Sequence, residues 1–182
     1  MSLWARYKWA NREYYLDDND VSWLARALWG ETGKNGTEEA MTAVAFCVMQ
    51  RYLRWPGSEN KWPFWYQFVR AFSQPVNPAW SDPRGAFARK YPRLCTPARM
   101  RRREKIQTCR WQDVPTNAKR IAGAFGTGYF LVSPCPDAVN FGAAGLVKRQ
   151  KKTGINIGDN VFLGPEMDKG IRWIDGSLEI IL

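Results

Sequence analysis

The side chain best placed for chemistry in this sequence is the carboxyl group of Glu31, which follows an apolar helical stripe. Leu24 and Leu28 belong to that stripe, and Glu31 lies seven residues after the first and three after the second. A helix that continues this far places the carboxyl group on its apolar side. Because burial disfavours the anion, such a group has a raised pKa and can donate a proton near neutral pH. The alternative is that Glu31 ends a helix in solvent or pairs with Arg26.

The 182-residue chain contains no histidine, which removes several kinds of active site. Ser-His-Asp and Cys-His nucleophiles and His-ligated zinc sites cannot be built from it. Its four cysteines lie far apart without a CxxC pair, which argues against a zinc ribbon. We therefore expect no metal and no cofactor, with acid–base chemistry left to Asp, Glu, Lys or Tyr. The cysteines are expected to be reduced and buried, and a Cys95–Cys109 disulfide is the open alternative.

The helix that must position Glu31 has recognisable start and stop residues. Asn19 or Asp20 offers an N-cap, and the apolar spacing predicts a helix from about residue 21 to residue 29. Gly30 and Gly33 are expected to end it, because glycines commonly follow the last helical turn.

The rest of the chain is predicted to form further helices with a small amount of β structure. Thr37 is expected to cap a second helix that runs to about Leu53, with Glu38 and Glu39 in the first turn, where the helix dipole favours acids. Prolines predict a loop over 73–78, after a short aromatic helix. The other predicted elements are a helix from Pro115 or Thr116 to Gly126, strands at 139–141 and 161–163 with a turn at 157–160, and strand-like alternation over 171–182.

These elements predict a mainly α (α+β) fold with a small β element. Residues 1–18 are expected to form an N-terminal arm, and residues 19–182 one domain that contains an irregular basic insertion at about 81–112. Aromatic residues make up 14% of the chain and include ten tryptophans. Such residues build a core or offer flat faces on which sugar rings or bases stack.

The charge of the chain is +10, and most of it lies in one segment. Residues 89–110 hold nine basic side chains against one acid, a net charge of +8. This charge favours a polyanionic partner, either a nucleic acid or an anionic cell wall or membrane surface. No apolar stretch is long enough to predict a transmembrane helix, and residues 1–15 lack the apolar region of a Sec signal peptide.

The segments around Glu31 resemble the cell-wall hydrolase family of spore cortex-lytic enzymes. The resemblance begins with LARALWGE, which ends at Glu31, and continues with the Ala/Val-rich helix MTAVAFCVMQR at 41–51. Phe-Ser-Gln-Pro-Val at 72–76 resembles the family's next loop, and Asn140-Phe141 and IGDNVF at 157–162 resemble its final motifs. The motifs follow the family's order, although the histidines that the family usually carries are absent here.

The resemblance implies a single lysozyme-like domain that cleaves the MurNAc–GlcNAc bonds of peptidoglycan, with Glu31 as the catalytic general acid and base. A hydrolytic muramidase needs a second carboxylate. In a lytic transglycosylase, the sugar's own 6-hydroxyl closes an anhydro ring instead. Asp82 and Asp137 are the remaining candidates for a second carboxylate. The lack of an obvious partner favours the transglycosylase, with the muramidase as the alternative.

The resemblance also implies further residues that contact the substrate. Ser73 and Gln74 are expected to line the cleft near the catalytic acid. Tyr129, Asn140 and Phe141 are expected to offer a hydroxyl, an amide and a ring face to the sugar. The plainer interpretations are a turn for the first pair and strand packing for the other three.

The arginines of the basic segment support other interpretations. Arg99, Arg101, Arg102 and Arg103 resemble the arms of nucleic-acid-binding proteins, in which basic groups neutralise phosphates. We expect them instead to hold the protein on an anionic envelope surface and to set where it binds rather than what it cuts. A third interpretation is a structural virion protein with an inactive lysozyme-like fold.

The absence of a signal-peptide pattern bears on where the protein acts. We expect synthesis in a host cytoplasm and action at the bacterial cell wall. The corresponding proteins are a bacteriophage endolysin and a lysin carried among virion proteins.

Overall fold

In a computed structural model, the chain forms helices with a small three-stranded antiparallel sheet beside them. The structure describes residues 3–7, 12–54, 61–62, 65–127, 134–135, 138, 140–143, 147–148, 154–164, 171–174 and 177–180. Six helices lie in these ranges: α1 (Asp18–Thr32), α2 (Glu38–Arg54), α3 (Trp65–Phe72), α4 (Ala86–Lys90), α5 (Pro97–Thr108) and α6 (Thr116–Thr127). Short 3-10 turns occupy Gln74–Val76, Pro78–Trp80 and Trp111–Asp113. The predicted mainly helical α+β class is confirmed.

Helix α1 begins earlier and ends later than the sequence predicted. Its N-cap is Asp17, whose side chain accepts the Asp20 backbone N–H at 2.8 Å, while the Asp20 side chain accepts the Asp17 N–H at 3.1 Å. Gly33 ends the helix with a φ of 79°, and its N–H donates to the Trp29 carbonyl at 2.9 Å. Gly30 lies inside the helix, so the prediction that it ends the helix was wrong.

The core forms where α1, α2, α3 and α6 pack together, and the stripe predicted for α1 is confirmed there. Thr37 accepts the Ala40 N–H at the start of α2, as its capping role predicted. From α3, Phe68 meets Tyr52 and Trp62 edge-on. The buried stripe residues are Leu24, Ala25 and Leu28 in α1, Met41, Val44, Ala45, Val48 and Tyr52 in α2, and Ala118, Ile121, Ala122 and Phe125 in α6.

A three-stranded antiparallel sheet packs beside α2. It contains β3 (Asn140–Ala143), β4 (Ile155–Ile157) and β5 (Asn160–Leu163), with β5 in the centre. The predicted turn joins β4 to β5, and Gly158 adopts a φ of 57° within it. Both predicted strands are therefore present. The tail forms a separate antiparallel pair, β6 (Ile171–Ile174) with β7 (Ser177–Ile180).

Two segments differ from the expected arrangement. The N-terminal arm is an antiparallel pair, β1 (Leu3–Tyr7) with β2 (Arg12–Leu16). The basic segment contains α4 and α5 instead of an irregular loop. The Thr96 side chain caps α5 and Pro97 occupies its first turn, a favoured start. Arginine is a good helix former, so the dense charge is compatible with a helix.

Cys95 and Cys109 carry free thiols, and Cys47, Cys95 and Cys135 are buried. The alternative of a Cys95–Cys109 disulfide is therefore wrong in this structure. Within the described part of the chain, every helix is too short or too polar to cross a bilayer.

Candidate active site

A cavity of about 280 Å³ opens between the end of α1, the turn at 74–76 and the face of α5. The three elements meet closely, since α1 packs against both the turn and α5. The lining residues are Gly30, Glu31, Gln74, Pro75, Arg99, Arg102, Arg103 and Ile106.

Glu31 occupies the penultimate position of α1, with its side chain partly buried at this cavity. The structure thus places Glu31 beside a cleft, as predicted. Glu31 does not pair with Arg26, which donates instead to the Ser22 carbonyl at 3.0 Å and to the Cys109 carbonyl at 2.9 Å. The latter bond ties the middle of α1 to the end of α5. The alternative of an Arg26–Glu31 pair is wrong.

A buried hydroxyl holds the Glu31 carboxyl group. Ser73 is fully buried, and its Oγ donates to Glu31 Oε1 at 2.7 Å. Ser73 directly precedes the 74–76 turn, so the turn fixes where the hydroxyl points. Ser73 is therefore not among the lining residues, contrary to the prediction, and its hydroxyl instead orients the Glu31 carboxyl group. Gln74 lines the cavity as predicted.

The absence of a side chain at Gly30 lets the turn come this close. A Cβ at Gly30 would lie 2.1 Å from Pro75 Cβ and 2.6 Å from Pro75 Cγ. Real Cβ atoms do not approach carbons so closely, so a side chain here would push the turn away. The glycine therefore matters for packing against Pro75 rather than for ending the helix.

Helix α5 clamps the same turn from the other side. Gln107 Nε2 donates to the Pro75 carbonyl at 3.1 Å, to the Asn77 carbonyl at 3.4 Å and to Ser81 Oγ at 3.1 Å. Asn77 itself donates to the Ala71 carbonyl at 3.1 Å. The side-chain amides of Asn77 and Gln107 thus hold the segment that joins α3 to the second 3-10 turn.

Arg103 is built into the wall of the cavity rather than into an exposed surface. Its side chain is 8% exposed, donates from Nη1 to the Trp80 carbonyl at 2.9 Å and lies over the Trp80 ring. The expected envelope-binding role therefore does not fit Arg103. Arg99, Arg101 and Arg102 are exposed, and two of these, Arg99 and Arg102, line the cavity.

Burial raises the pKa of Glu31 to about 7. The hydrogen bond from Ser73 and the positive charge of Arg103 act in the opposite direction, because both stabilise the anion. Desolvation outweighs both effects. At neutral pH the carboxyl group is therefore present in both its protonated and its ionised form, as a group that donates and then accepts a proton requires.

The other predicted contact residues lie elsewhere. Asn140 is buried in β3, where its Oδ1 accepts the Phe141 N–H at 2.9 Å. The Phe141 ring packs between those of Phe72 and Phe162, at centroid distances of 6.0 and 5.4 Å. Neither is among the lining residues, and their contact with a sugar stays a prediction. Tyr129 lies outside the described residues.

Of the two candidates for a second carboxylate, the one that the structure describes, Asp82, does not line the cavity. Asp82 is exposed and accepts the Arg84 N–H at 2.9 Å, and Asp137 lies outside the described residues. Glu38 and Glu39 line a different cavity, of about 190 Å³, where Glu38 pairs with Arg120. Among the described lining residues, Glu31 is the one acid. The described residues also contain no group of three His, Cys, Asp or Glu side chains able to hold a metal ion.

Sequence reasoning missed the contribution of α5 to this cavity. Arg99, Arg102, Arg103 and Ile106 recur at i, i+3, i+4 and i+7, the spacing of one helical face. A capping Thr96 and a Pro97 at the first turn precede them. This pattern could have revealed the helix. It does not predict that the face is part of a site, because a buried helical face is normally recognised by apolar residues rather than arginines.

No protein-family model, curated protein or solved structure matches this chain.

Proposed function

We propose that this chain is a lysozyme-like enzyme that cleaves the glycan strands of peptidoglycan, with Glu31 as general acid and base. The observation that carries the proposal is a carboxyl group with a pKa of about 7, held by a buried Ser73 hydroxyl at the edge of an open cavity. The motifs around Glu31 support the choice of a glycan substrate. The expected site of action is the bacterial cell wall.

In the proposed reaction, protonated Glu31 gives its proton to the glycosidic oxygen as the bond to the sugar's anomeric carbon breaks. The ionised carboxylate then accepts the proton of the sugar's 6-hydroxyl, whose oxygen bonds to the anomeric carbon and closes an anhydro ring. No water is consumed, and Glu31 ends protonated. The lack of a second acid among the described lining residues favours this lytic transglycosylase route over a muramidase.

Digestion of purified bacterial sacculi, with mass analysis of the products, tests the proposal. We expect anhydro-muramic ends, and Glu31→Gln should lower the rate about 10²–10⁴-fold, the usual contribution of a general acid. Glu104→Gln is the matched control, because Glu104 is an exposed acid on α5. Reducing ends would instead identify a muramidase.

Released peptides, or full activity in Glu31→Gln, would contradict the proposed role of Glu31. A folded wild type that leaves sacculi intact would favour a structural virion role.

Nucleic-acid binding is a second candidate function, favoured by the exposed Arg99, Arg101 and Arg102 on one helix. It predicts duplex DNA binding that weakens steeply with salt and that weakens further when these arginines become glutamine. Equal DNA binding by the wild type and the triple variant would exclude this role for α5.

A further inference from the structure

The wall of the cavity opposite Glu31 is unusually rich in positive charge. Helix α5 contributes Arg99, Arg102 and Arg103 to this wall. With Glu31 protonated, the described lining residues carry three positive charges and no negative one. An enzyme that bound only a neutral sugar would not need this concentration of guanidinium groups.

The three arginines differ in how far the protein already uses them. Arg103 is buried, bonded to the Trp80 carbonyl, and its charge acts on Glu31. Arg99 is exposed and donates to the neutral Arg93 carbonyl at 3.2 Å, and no described acid forms an ion pair with it. Arg102 is exposed and forms no ion pair within the described part of the chain.

We infer that Arg99 and Arg102 form a subsite for a carboxylate carried by the substrate next to the bond that is cut. The inference rests on the proposed function, because the carboxylate belongs to the proposed glycan substrate. The planar guanidinium group donates paired N–H bonds that match the two oxygens of a carboxylate. Two such groups one helical turn apart therefore favour an anionic strand over a neutral one.

Peptidoglycan offers carboxylates from two sources. A peptide-free muramyl sugar carries the carboxylate of its lactyl group, and a substituted one carries those of its peptide stem. A strand of N-acetylglucosamine alone has neither. The subsite thus predicts selection of muramyl glycans by charge, in addition to any recognition of their shape.

Binding to a catalytically silenced protein tests the subsite without turnover. In a Glu31→Gln background, calorimetry would compare three matched oligosaccharides: peptide-free, peptide-bearing, and peptide-bearing with all its carboxyl groups amidated. We expect at least one charged ligand to bind about tenfold more tightly than the amidated one, a preference that falls with salt. Which charged ligand is preferred identifies the source of the carboxylate.

Two arginine variants make the test specific. The double change Arg99→Gln and Arg102→Gln should bring the preference close to unity. Arg101→Gln is the matched control, since Arg101 is also exposed on α5 but does not line the cavity, and it should keep the preference. Equal affinity for charged and amidated ligands, or equal loss of preference in the control, would overturn the inference.

Cleavage of the same three ligands by the wild type separates this inference from the proposed function. If all three are cut equally well, the subsite is wrong and the proposed function stands. If none is cut while the preference persists and is lost in the double variant, the carboxylate subsite stands and the proposed function is wrong.

Discussion

Helix α1 carries an acid with a raised pKa at each end, and the two ends use their acids differently. Asp20 is 5% exposed, and burial raises its pKa to about 6. It accepts backbone N–H groups from Asp17 at 3.1 Å and from Tyr66 at 2.7 Å. Glu31 accepts one bond from the Ser73 hydroxyl and faces a cavity.

The comparison shows that a raised pKa does not by itself mark a reactive group. Asp20 ties the start of α1 to the start of α3, and its oxygens are occupied by the backbone. Glu31 combines a similar pKa with adjacent open space, which a substrate can enter. The two ends therefore predict opposite outcomes on substitution: loss of stability at Asp20 and loss of activity at Glu31.

The largest stability effect is expected at Asp20. Asp20→Ala should lower the free energy of unfolding by about 2–3 kcal/mol, because it breaks the capping box and leaves the Tyr66 N–H without its acceptor. Chemical denaturation measures this. Asp18→Ala is the control, because Asp18 is an exposed acid in the same first turn, and it should cost less than about 1 kcal/mol. Equal losses would mean that helix charge, rather than the capping box, matters at this end.

The next largest effect is expected at Gly30, which precedes Glu31 and where one substitution should change both stability and activity. Gly30→Ala should lower stability by about 1–3 kcal/mol, since its Cβ would collide with Pro75. It should also slow the proposed glycan cleavage about tenfold or more, because the displaced turn is next to the Ser73 hydroxyl that holds Glu31. Gly123→Ala in α6 is the control, since a Cβ there meets nothing within 4 Å. It should raise stability by about 0.5–1 kcal/mol, and an equal loss at both glycines would contradict the packing role of Gly30.

The position of Glu31 could be predicted from the sequence because it depends on local helical spacing. The stripe through Leu24 and Leu28 fixes which side of α1 is buried. The stripes of α2 and α6 were predictable for the same reason. The prediction that Gly30 ends the helix failed, because a contact with Pro75, distant in sequence, decides what this glycine does.

The composition of the cavity could not be predicted in the same way. The arginines of α5 form a wall of the site only because the chain returns past the end of α1, through the Arg26–Cys109 and Gln107–Pro75 hydrogen bonds. Such contacts leave no periodic pattern in the sequence. Charge density suggested a surface role for Arg103, whereas burial against Trp80 determines its actual environment.

The pH dependence of stability offers another way to separate the two acids. Folding raises the pKa of Glu31 from 4.5 to about 7, so the folded state favours the protonated form. The contribution of Glu31 to stability should therefore be fully present below pH 4.5 and decline by about 1–2 kcal/mol as the pH rises towards 7, once solvent in the cavity is allowed for. Glu31→Gln should lack this decline, and urea denaturation at several pH values measures it.

Asp20 supplies the comparison for this measurement. Folding raises the pKa of Asp20 from 3.8 to about 6, so the decline in stability that Asp20 causes should occur at lower pH than that of Glu31. The Asp20 decline should persist in Glu31→Gln. Asp20→Asn should remove it. If Glu31→Gln has the same pH dependence as the wild type, the carboxyl group is not desolvated as the structure indicates.

The smallest expected effect comes from Ser73→Ala, which changes the one hydrogen bond that distinguishes the Glu31 end. The Ser73 hydroxyl lowers the pKa of Glu31 because it donates to the carboxylate, so its removal should raise that pKa. The proposed cleavage requires protonated Glu31, so its rate in the wild type should fall as the pH rises through about 7. In Ser73→Ala this fall should move to higher pH by less than about one unit, with a few-fold loss at the optimum. Ser81→Ala is the control, because Ser81 accepts a bond from Gln107 without touching Glu31. If the control shifts the pH profile equally, the turn's position rather than the hydroxyl sets the acidity of Glu31.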